Sequence, residues 1–346
     1  MLFVVTRARK VFLATMIWLL PASGQNPVFR AETRIVEVAI VARDAHDGPV
    51  TDLTADDLRV YDNGVVQKIL SFDKLWDAPL AANGLPIGLP PKRRTVILID
   101  NLHARGAAQL YARHGLIDML KVFPQASDRI SIYTLGDELK VLKDFTPYTM
   151  GLRMAVGEYA GEAPAMPPAN RFLWTLQALR TIAADLKKIP GEKNLVWLTS
   201  GFRVESYEDV ARTMRELAAA QVVLYPVDVS GLKIVPAPAG MRILPWQQTG
   251  RGRGETVSTV PPKSEGMYEL AQLTGGRVYD DSNDLAGLIR AAIEDSREGY
   301  ALTYAPSNYR KDGSAHEVKL RTGKVGVELR YRPAYSEDNS ADSGAK

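Results

Sequence analysis

The 346-residue chain is 46% hydrophobic and 24% charged, ordinary for globular material, and carries a formal charge of +3 from 43 basic and 40 acidic side chains. It has no cysteine, which excludes disulfides, thiolate metal sites, a lipoprotein anchor and a cysteine nucleophile. Residues 1–24 hold Arg7, Arg9 and Lys10 and no acid, so the remainder is balanced in charge, with no clustered basic stripe for nucleic acid.

In chain order, "RARK" (7–10), the apolar run "VFLATMIWLL" (11–20) and the small residues Ala22 and Gly24 have the form of an export signal cut near Gln25. The apolar run is short for a bilayer span of roughly 20 residues. Retention as an anchor is the alternative. A periplasmic or extracellular location is therefore expected. Residues 25–76 read as a small β unit. Val36, Val38 and Ile40 alternate on one face of a strand, and Asn63-Gly64 separates two apolar runs as a tight hairpin would. A linker rich in Pro, Gly and Ala occupies 77–94.

From residue 95 to 297 strands alternate with helices. "TVILID" (95–100) reads as a buried strand, followed by a helix from 107 with Ala108, Ala112, Leu116 and Met119 on one stripe. The strand at 128–135 turns at Gly136-Asp137 into 138–145, too soon for a crossover, so that pair is antiparallel. A helix at 169–188, a strand at 193–201, a helix at 206–220 capped by Ser206 and a strand at 221–231 follow. Helices at 264–276 and 282–296 flank a short strand at 277–280. This order predicts an α/β fold: a doubly wound, mostly parallel, Rossmann-like sheet with one antiparallel edge strand. Residues 298–335 return to β patterns and are expected to pack with residues 25–76 as one small sandwich in which the α/β unit is inserted. Residues 336–346 are polar and expected to be disordered.

The segments "VILID", "DRISIYTLGDELKVLKDFT", "IPGEKNLVWLTSGF", "VVLYPVDVSGL" and "LAQLTGGRVYDDSNDLAGLIRAAIEDSREGYALTYAP" together resemble a von Willebrand factor A (VWA) domain. With "VTDLTADDLRVYDNGVVQKILSF" (50–72) and "VELRYRPAY" (327–335), the resemblance extends over residues 33–335 to the VWFA-related exported proteins abundant in Acidobacteria. The resemblance implies a divalent cation held by Asp-x-Ser-x-Ser after the first strand, a Thr from a second loop and an Asp from a third. Carried over, the first Asp is Asp100, the two Ser positions hold Leu102 and Ala104, and the third-loop Asp position holds Ser200. The second loop, 158–171, has no Thr. Leu and Ala supply no oxygen, so the expectation is a degenerate site with no metal and no cofactor. A weak Mg²⁺ or Ca²⁺ site, with Asn101, Thr199 and Ser200 adding oxygens to Asp100, is the alternative. Asp100 is otherwise expected to accept backbone N–H bonds at the start of the next helix.

Other motifs read more plainly. His103 reads as an exposed loop histidine, "DAHDG" (44–48) as a turn and "DDSND" (280–284) as a helix cap. G-x-S-x-G, the P-loop and H-E-x-x-H are absent, and the four histidines are scattered. No catalytic residue is assigned. The candidate ligand rim is Asp100, Asn101, His103, Thr199, Ser200 and Asp228. The long loop 231–263 carries Arg242, Leu244, Trp246, Arg251 and Arg253, an apolar anchor among arginines suited to a protein partner. These features predict a non-enzymatic exported binding or assembly module with a protein partner. Metal-dependent adhesion, or a hydrolase with an unrecognised site on the same rim, are the alternatives.

Overall fold

The computed structural model describes residues 35–75, 94–122, 128–201, 203–231, 265–295, 299–307 and 314–335. The expected signal segment, nearly all of the linker, the tail and the loop beyond Gly231 lie outside the described residues. With that loop go Arg242, Leu244, Trp246, Arg251 and Arg253.

Four strands come from the first β segment: β1 (Val36–Arg43), β2 (Leu58–Asp62), β3 (Val65–Gln67) and β4 (Ile69–Lys74). A 3₁₀ turn at Ala55–Asp57 precedes β2. Then follow β5 (Arg94–Asp100), β6 (Arg129–Leu135), β7 (Leu139–Thr146), β8 (Lys193–Thr199) and β9 (Val222–Asp228). The helices are α1 (Ala107–Val122), α2 (Thr149–Glu158), α3 (Pro168–Lys187), α4 (Tyr207–Ala219), α5 (Glu265–Thr274) and α6 (Leu285–Asp295). The chain closes with β10 (Gly299–Tyr304), β11 (His316–Thr322), β12 (Glu328–Tyr331) and β13 (Ala334–Tyr335).

The α/β sheet runs β7-β6-β5-β8-β9. β6, β5, β8 and β9 are mutually parallel and β7 is antiparallel to β6. Successive residues of β5 feed opposite layers. Ile97 and Ile99 pack with α1 and α6 residues, whereas Val96 and Leu98 pack with α3 and α4 residues. Burial on both faces explains why 95–100 is an unbroken apolar run rather than an alternating one.

The two β segments interleave in two antiparallel sheets, β12-β1-β10-β4 and β13-β11-β2-β3. Val38, Ile40, Leu58, Val60, Tyr300, Leu302, Val318 and Leu320 form the core between them. β11 shows the period-two pattern of a half-buried strand: His316, Val318 and Leu320 are buried and Glu317, Lys319 and Arg321 exposed. Asp295, at the end of α6, is buried and accepts from both Arg43 of β1 (2.9 Å) and Arg330 of β12 (2.7 Å). That shared carboxylate ties the α/β layers to the sandwich.

Three details depart from expectation. Asn63 and Gly64 take positive φ (46° and 77°) and close the β2–β3 hairpin, but it is only three residue pairs deep. After Lys68 the chain crosses into the other sheet, where β4 pairs with β10, because apolar Ile69 and Phe72 are drawn onto the sandwich core. α2 is a helix the sequence did not announce. Its N-cap, Tyr148, makes no side-chain cap, and Gly151 and Gly157 interrupt the helical pattern. The expected strand at 277–280 is reduced to a bridge between Tyr279 and Val227.

Candidate functional site

β5 sits where the strand order reverses, with β6 on one side and β8 on the other. The crevice beyond the carboxyl ends of such strands is the usual ligand position in an open α/β sheet. Asp100 ends β5 and Thr199 ends β8, so topology alone brings these two candidates together.

Asp100 is fully buried. Its Oδ1 accepts from the backbone N–H groups of Leu102 (3.0 Å) and His103 (3.1 Å). Its Oδ2 accepts from His103 Nδ1 (2.8 Å), Trp197 Nε1 (3.0 Å) and Thr199 Oγ1 (2.7 Å). A carboxylate offers about four lone-pair directions, and five donors converge on this one. Thr199 Oγ1 in turn accepts from Gly201 N (3.2 Å), which orients its proton toward Asp100. Both backbone donors belong to the turn 101–104; α1 begins later, at Ala107, so the carboxylate caps that turn and not the helix.

His103 corrects an expectation. Its side chain is 11% exposed, because the turn folds the imidazole back onto the carboxylate three residues earlier. Burial would lower the His103 pKa, but the charge and hydrogen bond of Asp100 outweigh it and raise it above its ordinary value. Burial would raise that of Asp100. The charge and hydrogen bonds of His103, together with Thr199, outweigh that and hold it below the usual carboxylate range. Each partner thus favours the charged form of the other.

The two residues at the serine positions are built into the cores. Leu102 is fully buried among Leu135, Phe172 and Leu176, and Ala104 is buried with Ala112 and Leu116 on the opposite side. The carbonyl of Leu102 accepts from Arg171 Nη1 of α3 (2.9 Å). Asn101 is buried and donates through Nδ2 to Tyr159 OH (2.6 Å). Gln109 Nε2 joins the carbonyls of Ala104 (2.9 Å) and Glu162 (2.7 Å). The loop after α2, which has no threonine to offer, is thus clipped to the 101–104 turn by Tyr159, Gln109 and Arg171.

Ser200 is half-buried at the end of β8. Asp228, paired in register with Thr199, is spent on its own turn, where it accepts from Ser230 N (2.8 Å) and the Ser230 hydroxyl. Among the described residues no group of three or more His, Asp and Glu side chains is placed to hold a metal ion. Of the other motifs, Asp44 accepts from His46 N and Gly48 N (2.8 Å each) in a turn, and Asp284 caps α6 through Gly287 N (2.9 Å). His316 lies in the sandwich, bonded to Asp62 (2.7 Å), away from this rim.

Trp197, Tyr159, Gln109 and Arg171 were not singled out from sequence. Trp197 had a readable signal. Residues 195, 197 and 199 of β8 share a face, as do 96, 98 and 100 of β5, and parallel pairing sets Leu98 beside Trp197. The others depend on loop placement.

No family model and no curated protein matches the chain. Among solved structures it is similar to a von Willebrand factor type A structure from Catenulispora acidiphila, at 10% identity over 90% of this chain and 75% of that one, with a TM-score of 0.41. It is also similar to an aerotolerance-related membrane protein from Bacteroides fragilis, at 13% identity over 59% of this chain and 98% of that one, with a TM-score of 0.41. A third is the SpRpn10 VWA domain, at 20% identity over 39% and 74%, with a TM-score of 0.28. The VWA-like, doubly wound architecture rests on the strand order itself and not on these scores.

Proposed function

We propose that this chain is a non-enzymatic binding or assembly module, working outside the cytoplasm, that engages a protein partner at the C-terminal edge of its α/β sheet without a metal ion. The observation that carries the reading is the saturation of Asp100. A divalent cation recruits oxygens with open lone pairs, whereas Asp100 already receives five donors, one of them His103 Nδ1. The places around the carboxylate that a cation would take are filled from within the chain. The same saturation argues against catalysis: a buried carboxylate held ionised with its lone pairs filled is a poor general base.

What remains for a partner is surface. Leu110, Leu173, Tyr207 and Tyr268 are each more than one-third exposed. They lie in the first two turns of α1, α3, α4 and α5, helices that start at that edge of the sheet. Single exposed apolar residues are ordinary, but four around one rim suit a protein contact with an aromatic and aliphatic centre. The export reading rests on residues 1–24.

The test is capture of partners from an envelope fraction by the full chain, with and without EDTA, alongside a Tyr207→Asp, Leu173→Asp variant. The reading expects capture that EDTA leaves unchanged and the variant loses. Capture abolished by EDTA and restored by Mg²⁺ would favour metal-dependent adhesion.

A further inference from the structure

The sandwich offers a second surface. A sheet edge exposes unpaired backbone N–H and C=O groups, and proteins blunt such edges with charge, bulges, brevity or cover. Among the described residues, the other edges are blunted. β7 carries Lys140 and Lys143, β9 is covered by the bridge from Tyr279, β3 and β13 are three and two residues long, and β12 is four residues long with Glu328 and Arg330 among them. β4 is different. It is six residues long and pairs only with β10, and no described strand lies on its outer side. Its middle, Leu70-Ser71-Phe72, carries no charge, Leu70 is 51% exposed, and its charges, Asp73 and Lys74, stand together at its end.

Beside this edge runs an open cavity of about 600 Å³ between β4 and the 53–59 segment. Leu53, Leu58 and Phe72 are among its apolar lining, with Arg59 and Lys74 beside them. The Arg59 guanidinium is held by two backbone carbonyls, of Asp56 (3.2 Å) and Leu58 (2.8 Å), and among the described residues no carboxylate meets it. The 3₁₀ turn at 55–57 packs against β4 and walls the far side. A turn beside the strand hinders the flat edge of another sheet more than it hinders a single extended chain.

The geometry points to β4 and its groove as a docking site for a single extended segment of another polypeptide, added as a strand to the sandwich. Backbone hydrogen bonds to β4 supply the affinity, as in other strand-addition complexes. Apolar side chains of the segment rest on Leu70 and Phe72, and a carboxylate of the segment meets Arg59.

The probe is a fluorescent peptide of about seven residues, alternating valine with threonine and ending in glutamate, titrated into the full chain. Saturable binding is expected. It should weaken about tenfold or more on N-methylation of alternate peptide amides, which removes strand bonds and leaves the side chains in place. Leu70→Lys, at an exposed site that the fold tolerates, should weaken it similarly. Arg59→Glu should shift preference to the same peptide ending in lysine. No saturable binding, or binding indifferent to N-methylation, overturns the proposal. A concentration-dependent dimer of the unmodified chain that Leu70→Lys dissolves would also overturn it, by giving the edge to a second copy.

Discussion

Removing the His103 imidazole is the sharpest structural perturbation of the rim. In His103→Ala, Asp100 keeps its two backbone donors, Trp197 Nε1 and Thr199 Oγ1, but loses the Nδ1 donor at 2.8 Å and the charge it carries below its raised pKa. Breaking a buried pair by deleting one partner typically costs about 3–5 kcal/mol. The four remaining donors place this case at the low end, about 3 kcal/mol, or roughly 6–9 °C in melting temperature for a chain of this size. His103→Gln, which retains a donor without the charge, should fall between the variant and the unmodified chain. The pH dependence has a definite sign. The folded His103 pKa is raised above its ordinary 6.5, so its contribution is full below that value and is lost as pH rises through the folded pKa. The folded Asp100 pKa is lowered below its ordinary 3.8, so its contribution is full above that value and is lost as pH falls through the folded pKa. The stability gap between the unmodified chain and His103→Ala should therefore be widest from about pH 4 to 6.5 and narrow on the alkaline side. Urea titrations across pH measure it. A gap that is absent, or that widens steadily above pH 8, would refute the imidazolium–carboxylate pair.

Thr199→Val removes a donor to Asp100 and the acceptor of Gly201 N, and should cost about 1–3 kcal/mol in urea unfolding. Leu102→Ser puts a hydroxyl into a fully buried apolar cluster, so it should cost about 3 kcal/mol and bring no cation response in thermal melts, although it restores a serine to the motif. Asp295→Ala removes the carboxylate shared by Arg43 and Arg330 and should cost about 3–5 kcal/mol, with faster proteolysis at the junction of sandwich and α/β layers.

The α/β layers were legible because burial on two faces writes itself as continuous apolar strands alternating with amphipathic helices. Ser206 marked the start of α4 by a cap that the structure contains, its hydroxyl accepting from Asp209 N. β patterns at both ends of the chain were equally readable. Their register was not, since pairing Val36 with Tyr304 depends on contacts between residues far apart in sequence. At the rim, sequence showed which oxygens were missing. It did not show what replaced them, because the donors to Asp100 come from a turn (His103), a neighbouring strand (Trp197) and the end of that strand (Thr199). His103 was misread as exposed because a histidine in a polar loop gives no sign that its turn will fold back onto the preceding strand end.

The most direct test of the central reading is the thermal stability of the unmodified full chain with millimolar Mg²⁺, Ca²⁺ or Mn²⁺ against EDTA. A cation that binds the folded state alone stabilises it by about 2.7 kcal/mol at a hundredfold excess over its Kd. With the Asp100 lone pairs filled from within, the melting temperature should be the same in every buffer. A cation-dependent rise that EDTA reverses would contradict the account and make Asp100 a working metal ligand.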